Sequence, residues 1–440
     1  MVTFVSLFLW LMTGVQTVEV SVGLMVETVE ISLDGRLVGR ANAPDWSLEV
    51  DFGEELLPHR LEAVARDANG VEVGRARQLI NLPRGEAEVQ LALEPGGSGR
   101  SAFVRVIAVS RNKFEPLAVF VTFDGEALPA AVDGRFALPE HDPRQPHMVS
   151  AEAHFPGGYV ARADATFGGS YGSLVATELT AIPVIAENNK RLEAAQLQRA
   201  FTVRGEPVRV AAVDQPGGRV LLIRDHGVWP KMARIGDEID RRLGIFGADV
   251  HRRLTEGFDP LKGAQIGPEA DRFYLVVPNA KWERGLALFP IVVPFDIKRW
   301  GLPWLVTHVT SPEASLEGQR LAEAVAVAAV RAAGGASPRI VVVVIGEDER
   351  DDGVHSPQAM RQYAAALRVP LVVWSPARRR IESDWGEVVP VSSSGAISRA
   401  SRRVLKDLRR QWIVWVEGRH LPSEIEIRSG IEGIRLAGAE

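Results

Sequence analysis

Two clusters in the second half of the chain carry residue types that can bind a cation or transfer a proton. Asp225 and His226 follow the apolar run 220–223, and an acidic stretch that includes Glu347 and Asp348 follows the apolar run 340–345. Carboxylate oxygens are the ligands that Mg²⁺, Mn²⁺ and Ca²⁺ prefer, and Asp and His side chains serve in acid–base catalysis. Both clusters are therefore candidate sites.

Motifs for several specific chemistries are missing. Set against an EF-hand loop with Gly353 at its sixth position, the acidic stretch puts Arg350 at the third position and Ala359 at the twelfth, so a solvated loop is the better interpretation. The nine histidines form no zinc-binding pair of the H-E-x-x-H type. The glycine- and serine-rich segments 168–173 and 392–395 match neither a P-loop nor a nucleophile elbow, and we predict turns or helix caps there.

A hydrolase remains the third alternative. Asp225 and His226, beside Asp348, would have to combine with a serine of 392–394. Adjacent Asp and His side chains point apart, and no serine lies on a sharp strand-to-helix turn. We therefore expect no catalytic residue and no enzymatic activity.

The elements that would position these clusters alternate between strand and helix after about residue 215. Continuous apolar runs at 220–223, 273–277, 289–293, 340–345, 369–374 and 388–391 are typical of strands that are covered on both faces. Helical periodicity at 228–243, 316–333, 356–367 and 397–410 separates them. This pattern predicts a doubly wound α/β domain, in which ligands bind beyond the carboxyl ends of the strands.

The composition limits the partners and the number of domains. A chain of 440 residues predicts two to four domains. With 51 basic and 56 acidic residues the net charge is −5, so we expect no nucleic acid as a partner. No cysteine is present, which excludes disulfides and thiol chemistry.

The first 17 residues predict export. Residues 1–12 are an apolar run of the length of a signal-peptide core, although basic residues before it and a small-residue cleavage site after it are missing. A buried first strand is the alternative, and the run is too short for a spanning helix. We therefore expect a secreted, periplasmic or cell-envelope protein with no membrane insertion beyond a cleaved signal or N-terminal anchor.

The N-terminal part repeats an all-β pattern. Segments of alternating polarity, separated by turn signals such as Asp34-Gly35, predict two tandem sandwiches at 18–95 and 101–173 with a flexible linker between them. The segment 31–36, ISLDGR, corresponds to 121–126, VTFDGE, and His59 corresponds to His147, which indicates a structural role for both histidines. The motifs ISLDGRLV and LEAVARDANG resemble bacterial Ig-like domains.

The C-terminal part resembles the von Willebrand factor type A-like domain of bacterial "VWFA-related" proteins. The segments 177–185, TELTAIPVI, and 197–210, LQRAFTVRGEPVRV, look like the family's opening strand and its L-x-x-x-x-F-x-V-x-x-G-x-P segment. The segment 404–415, VLKDLRRQWIVW, followed by 425–428, looks like its closing helix and strand. The resemblance covers about 174–430, which leaves 431–440 as a tail.

The resemblance implies a metal-ion-dependent adhesion site, which this sequence only partly retains. The family's D-x-S-x-S loop would start at Asp225, but Gly227 and Trp229 replace its serines. Gln319 stands near the family's threonine, and Ile345 stands where its second aspartate binds the metal. We therefore predict a degenerate site with no metal or other cofactor, in which Asp225 acts as a helix N-cap. Mg²⁺ or Mn²⁺ held by Asp225 and Asp348 is the alternative.

These inferences combine into a non-enzymatic protein-binding or scaffolding role, with an unidentified protein as partner. Most tryptophans of the α/β domain are expected in its core. Trp300 and Trp304, around Gly301-Leu-Pro303, are candidates for an exposed partner-binding patch. The alternative function is metal-dependent adhesion through Asp225.

Overall fold

The computed structural model describes most of the chain. The described residues are 2–23, 26–84, 87–94, 103–110, 114–131, 134–141, 147–156, 159–167, 179–187, 191–243, 271–283, 286–292, 301–310, 314–334, 336–347, 350–377 and 383–438. The chain divides into two compact units, Met1–Thr177 and Glu178–Glu440.

The first unit begins with an antiparallel sandwich. Its strands are β1 (Val2–Phe4), β2 (Val15–Val22), β3 (Thr28–Leu33), β4 (Arg36–Asn42), β5 (Ser47–Asp51), β6 (His59–Arg66) and β7 (Glu72–Ile80). They form the sheets β1-β2-β5 and β4-β3-β6-β7. Alternating side chains of both sheets, among them Val18, Val29, Ile31 and Leu61, are fully buried between them, as expected for a sandwich core.

The apolar N-terminal run is part of this sandwich. Phe4 and Phe8 are buried in the core, and β1 pairs with β2. Buried Gln78 accepts a hydrogen bond from the Phe8 N–H at 2.9 Å, and Asn81 accepts one from the Met12 N–H at 2.7 Å. The structure thus corresponds to the buried-strand alternative, and the signal-peptide prediction for this segment is unsupported.

Membrane-spanning helices were not expected beyond the N-terminus. Among the described residues, no helix has both the length and the apolar character to cross a bilayer.

A second sandwich follows. Its strands are β8 (Ala87–Glu94), β9 (Phe103–Ser110), β10 (Ala118–Phe123), β11 (Glu126–Leu128), β12 (Phe136–Ala137), β13 (His147–Phe155) and β14 (Tyr159–Phe167). They form the sheets β12-β9-β8 and β11-β10-β13-β14. Because β8 pairs with β9 along its whole length, residues 87–94 belong to the second sandwich. The predicted boundary at 95 is therefore too late, and the first sandwich ends before β8.

Each sandwich contains an equivalent Asp-Gly turn, as the sequence repeat predicted. Asp34 accepts hydrogen bonds from the His59 ring at 2.8 Å and the Arg60 N–H at 2.8 Å. Asp124 makes the same two contacts with the His147 ring at 2.7 Å and the Met148 N–H at 2.8 Å. Both aspartates have positive φ in Asp-Gly turns, which Asp tolerates better than most residues. The structural role predicted for both histidines is confirmed.

The second unit contains two distinct parts. One is a small β structure from both ends of the unit: β15 (Leu179–Ala186), α1 (Ala194–Leu197), β16 (Phe201–Val203), β17 (Glu206–Val208), β18 (Val210–Asp214), β27 (Gln411–Glu417), a 3-10 turn (Pro422–Glu424), β28 (Ile425–Ile427) and β29 (Ile434–Leu436). Its sheets are β18-β27-β15-β29 and β17-β16-β28.

This β part corrects two sequence predictions. The opening and closing strands assigned to the α/β domain, β15 and β27, pair with each other rather than with the α/β sheet. The residues 431–440 are not merely a tail, because β29 pairs with β15.

The α/β part lies between β18 and β27 in the chain. Its elements are β19 (Arg219–Arg224), a 3-10 turn (His226–Val228), α2 (Trp229–Leu243), β20 (Arg272–Val276), β21 (Lys281–Glu283), β22 (Leu286–Leu288), β23 (Ile291–Val292), α3 (Gly301–His308), α4 (Leu321–Ala333), β24 (Arg339–Val344), α5 (Pro357–Ala366), β25 (Leu371–Ser375), β26 (Val388–Pro390) and α6 (Ser394–Arg409).

The main sheet has the order β23-β20-β19-β24-β25-β26. All pairs are parallel except β20 with β23. All six residues of β24 are buried, as its continuous apolar run predicted for a strand covered on both faces. α2 contacts α3 and α6, whereas α4 contacts α5, so helices cover both faces of the sheet. The predicted mixture of β sandwiches with a parallel α/β layer is observed.

Two buried arginines close helix ends inside the α/β part. Arg339 donates to the carbonyls of Ala333 at 3.3 Å, the last residue of α4, and of Leu367 at 3.1 Å and Arg368 at 3.4 Å, which follow α5. Arg224 donates to the carbonyls of Val306 at 2.6 Å and Val309 at 2.7 Å, at the end of α3. Cations suit the negative C-terminal end of a helix. Burial lowers the pKa of both arginines to about 9, so they stay protonated at neutral pH.

Candidate functional site

The candidate site lies beyond the carboxyl ends of β19 and β24. These strands are neighbours at the point where the chain switches from one side of the sheet to the other, the usual ligand position in doubly wound sheets. Asp225 extends the pairing, because its N–H donates to the Val344 carbonyl at 2.9 Å. The first candidate cluster and the start of the second therefore meet there.

Asp225 is a buried hydrogen-bond acceptor. Its side chain, in a residue that is 1% exposed, accepts from the Gly227 N–H at 2.8 Å, the Gly346 N–H at 3.2 Å and the Gln319 amide at 3.1 Å. The first contact makes Asp225 the N-cap of the 3-10 turn before α2, which confirms the predicted cap. Three donors from three segments thus converge on one carboxylate.

Gln319 connects Asp225, His226 and Arg350. It is fully buried, and its amide nitrogen donates to Asp225 and to the Arg350 carbonyl at 2.6 Å. Its amide oxygen accepts from the His226 N–H at 2.9 Å. At the position where the resemblance expected a threonine ligand, this residue therefore points a hydrogen-bond donor at Asp225.

His226 and Asn279 extend the network. The His226 Nε2 lies 2.8 Å from the Asn279 amide oxygen, which also accepts from the Ser315 N–H at 3.1 Å. Burial lowers the pKa of His226 below its ordinary value of 6.5, and the hydrogen bond to Asn279 opposes this effect in part. His226 is therefore a neutral donor at pH 7 rather than a charged group.

This burial predicts a pH effect on stability. The unfolded chain protonates His226 below its ordinary pKa of 6.5, whereas the folded protein holds the ring neutral. The unfolded state then binds more protons, so we expect the free energy of unfolding to fall as the pH drops through the ordinary pKa of 6.5. In His226→Gln, which can keep the bond to Asn279, the fall should be smaller. Urea unfolding followed by tryptophan fluorescence measures it; equal pH dependence in both proteins would contradict the assignment.

The other adhesion-site positions provide no metal ligands. Ile345 is buried at 1% exposure and has no donor atom. Gly227 contributes only its N–H to Asp225, and the Trp229 ring lies 4.2 Å from the guanidinium carbon of Arg224. Asp348 lies outside the described residues. Within the described part of the chain, no three His, Asp or Glu side chains group closely enough to hold a metal ion.

This donor set does not fit the adhesion-site metal. A hard cation needs several oxygens with free lone pairs, whereas three N–H groups already occupy the Asp225 carboxylate and the facing Gln319 group is a donor.

Asp351 is a partly buried hydrogen-bond acceptor that the sequence interpretation missed. Instead of belonging to a solvated loop, its carboxylate accepts from the N–H groups of Leu321 at 3.0 Å and Ala322 at 2.9 Å, at the start of α4, and from Gly353 at 2.9 Å. Burial raises the pKa of Asp351. Only its position in an acidic run preceding a glycine could have indicated such a turn.

Two of the three serines of the hydrolase alternative, Ser393 and Ser394, have structural roles. Ser393 is the N-cap of α6 and accepts from the Ala396 N–H at 3.3 Å, as the cap prediction expected. The Ser394 hydroxyl donates to Glu238 at 2.7 Å. Neither of these two serines contacts His226, whose ring nitrogen Nε2 is bonded to Asn279.

The predicted tryptophan patch is not present at Trp304. This residue is 6% exposed, lies within α3 and stacks on His308 with ring centroids 5.5 Å apart. The segment Gly301-Leu-Pro303 starts α3, and Pro303 is tolerated there because a residue in the first helical turn has no intrahelical partner for its N–H. Trp300 lies outside the described residues.

Comparisons with known proteins find only faint similarity. No protein-family model matches the chain, and no curated protein matches it. Among solved structures, fibronectin(III)-like modules of Clostridium thermocellum CbhA match with 14% identity over 40% of this chain and 98% of that chain, at a TM-score of 0.16. Proximal thread matrix protein 1 from the mussel byssus, in a structure with a zinc occupied MIDAS motif, matches with 12% identity at a TM-score of 0.27.

The second similarity covers 44% of this chain and 48% of the mussel protein. At such TM-scores neither similarity carries an argument about function. The fold assignment above rests on the observed strand order and pairing.

Proposed function

We propose that this chain is a non-enzymatic protein-binding or scaffolding protein whose α/β part is a von Willebrand type A-like domain without a functional metal site. The observation that supports the proposal is the buried carboxylate of Asp225, which accepts three hydrogen bonds from three segments of the fold. With this carboxylate committed to the fold, a partner must bind through other surfaces. The tandem sandwiches suit a spacing or presenting role.

Metal-dependent adhesion is the competing function. It would require Asp225 to release its N–H donors and to recruit further oxygens, for which Ile345 offers none. A hydrolase is less well supported, because Ser393 and Ser394 serve as a helix cap and as a donor to Glu238. The location at the bacterial cell envelope or exterior stays a prediction, which fractionation of cells that express the full chain would test.

Capture of partners in the presence and absence of metal tests this proposal. The full chain and Asp225→Asn are immobilised and exposed to a bacterial envelope extract in Mg²⁺ or in EDTA, with circular dichroism as a check of folding. We expect the same proteins to be captured in all four cases. Capture that needs Mg²⁺ and is lost in Asp225→Asn would favour adhesion, and turnover of esters or peptides would overturn the non-enzymatic role.

A further inference from the structure

The exposed face of α6 carries a line of basic residues. Arg399, Arg402, Arg403, Lys406 and Arg409 are all exposed. Their spacing of three and four residues places them on one side of the helix, along about 15 Å at 1.5 Å per residue. We call these five residues the basic stripe.

Local helix energetics do not account for the basic stripe. Side chains three or four residues apart are neighbours on a helix, and like charges at these spacings are destabilising. Arg402 and Arg403 lie three and four residues after Arg399, and Lys406 lies four and three residues after them. Arg409 and Arg410 follow Lys406 at the same spacings. The one acidic residue of α6, Asp407, can offset few of these repulsions. A cation near the C-terminal end of a helix is stabilising, but among these residues only Lys406, Arg409 and Arg410 lie at the end of α6.

The basic stripe also differs from a set of arginines on the first sandwich. In the first sandwich, Arg40 and Arg66 share Glu30, and Arg75 and Arg77 share Glu62. In the basic stripe, by contrast, the one ion pair found among the described residues joins Arg409 to Asp271 at 3.3 Å. Among the described residues, these four arginines of the first sandwich are thus paired with acidic side chains, whereas Arg399, Arg402, Arg403 and Lys406 have no ion pair.

A groove adjoins the basic stripe where α6 meets β27. It has a volume of about 620 Å³, and Arg402, Lys406, Arg409 and Arg410 line it together with Leu405 and Trp412. Leu405 and Trp412 are partly buried against the two hydrophobic cores of this unit. No carboxylate belongs to the described lining. The groove therefore offers apolar contact with positive charge around it.

We propose that the basic stripe and this groove bind an acidic protein segment, with carboxylates on the arginines and lysine and an apolar side chain between Leu405 and Trp412. This inference names the chemistry of the partner and rests on the binding role proposed above. A protein segment fits better than a nucleic acid, because a long polyanion would continue past a 15 Å stripe, a length of about ten residues of helix, over a chain of net charge −5. It fits better than a membrane, because a flat surface does not enter a groove.

The experiment measures the affinity of the full chain for a labelled peptide of glutamates and leucines by fluorescence anisotropy. In the double variant Arg402→Glu with Lys406→Glu we expect affinity to fall by about tenfold or more, from the modest energy of each exposed ion pair. The matched control reverses two exposed charges of α2, Lys231→Glu with Arg241→Glu, and should bind as the parent does. A glutamine version of the peptide should not bind, and salt should weaken binding.

Three results would overturn the proposal: no binding of the glutamate peptide, equal affinity in the stripe variant and the parent, or tighter binding of single-stranded DNA or anionic vesicles than of the peptide. Each of these results would reject the basic stripe as a binding site without rejecting the proposed function. Partner capture that stays metal-independent while the peptide does not bind would reject only the basic stripe as the site. Capture that requires Mg²⁺ through Asp225 would reject the proposed function itself.

Discussion

Replacing Arg339 by methionine should lower the free energy of unfolding of the second unit by about 3 kcal/mol or more, as expected when several buried acceptors lose their donor. The Arg339 guanidinium donates to three backbone carbonyls at the ends of α4 and α5. Methionine is of similar length and suits a buried position, so the lost hydrogen bonds rather than a cavity dominate the change.

Urea unfolding of the full chain, followed by tryptophan fluorescence, measures this effect, since eight of the ten tryptophans lie in the second unit. The control is Arg241→Met on the exposed side of α2, where the one side-chain hydrogen bond found among the described residues, to the Asp237 carbonyl at 3.2 Å, is lost and the change should stay within about 0.5 kcal/mol. Equal stability of Arg339→Met and the parent would show that the carbonyls find other donors.

Asp225→Ala is the second substitution with a large expected effect. It removes the acceptor of the N–H groups of Gly227 and Gly346 and of the Gln319 amide. Because these donors become buried without a partner, we expect a loss of about 3 kcal/mol, which corresponds to roughly 5 to 10 °C in the thermal midpoint of a unit of this size.

Asp225→Asn separates the cap from the charge. Its amide oxygen can still accept from Gly227, whereas its NH₂ group faces one of the remaining donors, so about half of the loss is expected. A thermal scan that compares the midpoints of the parent, Asp225→Ala and Asp225→Asn measures both losses. If Asp225→Ala were as stable as the parent, the carboxylate would not be committed to the fold, and the proposed function would lose its main support.

Patterns within one segment predicted the strands and helices of the α/β part well. The apolar run 340–345 corresponds to β24, and the periodic stretch 397–410 corresponds to α6, which begins earlier at Ser394. The Asp225 cap was predictable because Asp225 lies at the turn between an apolar strand and the helical stretch 228–243. These signals work since strand burial, helix periodicity and capping depend on neighbouring residues.

Contacts between distant segments were not predictable in this way. Gln319 and Asp225 are hydrogen-bonded although 94 positions separate them in the sequence. The carbonyls that accept from Arg339 belong to the ends of two helices, which only the tertiary fold brings close to it. The first strand resembled a signal peptide because burial in a core and insertion into a membrane both select apolar runs. β8 precedes the predicted linker in sequence, so its pairing with the following sandwich could not be seen from composition.

Thermal unfolding of the full chain with and without millimolar Mg²⁺ or Mn²⁺ tests most directly the claim that the sheet end is closed by hydrogen bonds rather than by a metal. The claim predicts that the midpoint of the second unit is the same in EDTA and in either ion. An ion present at about 100 times its dissociation constant would instead stabilise the folded state by about 2.7 kcal/mol. A rise of several degrees in the parent that disappears in Asp225→Asn would contradict the claim.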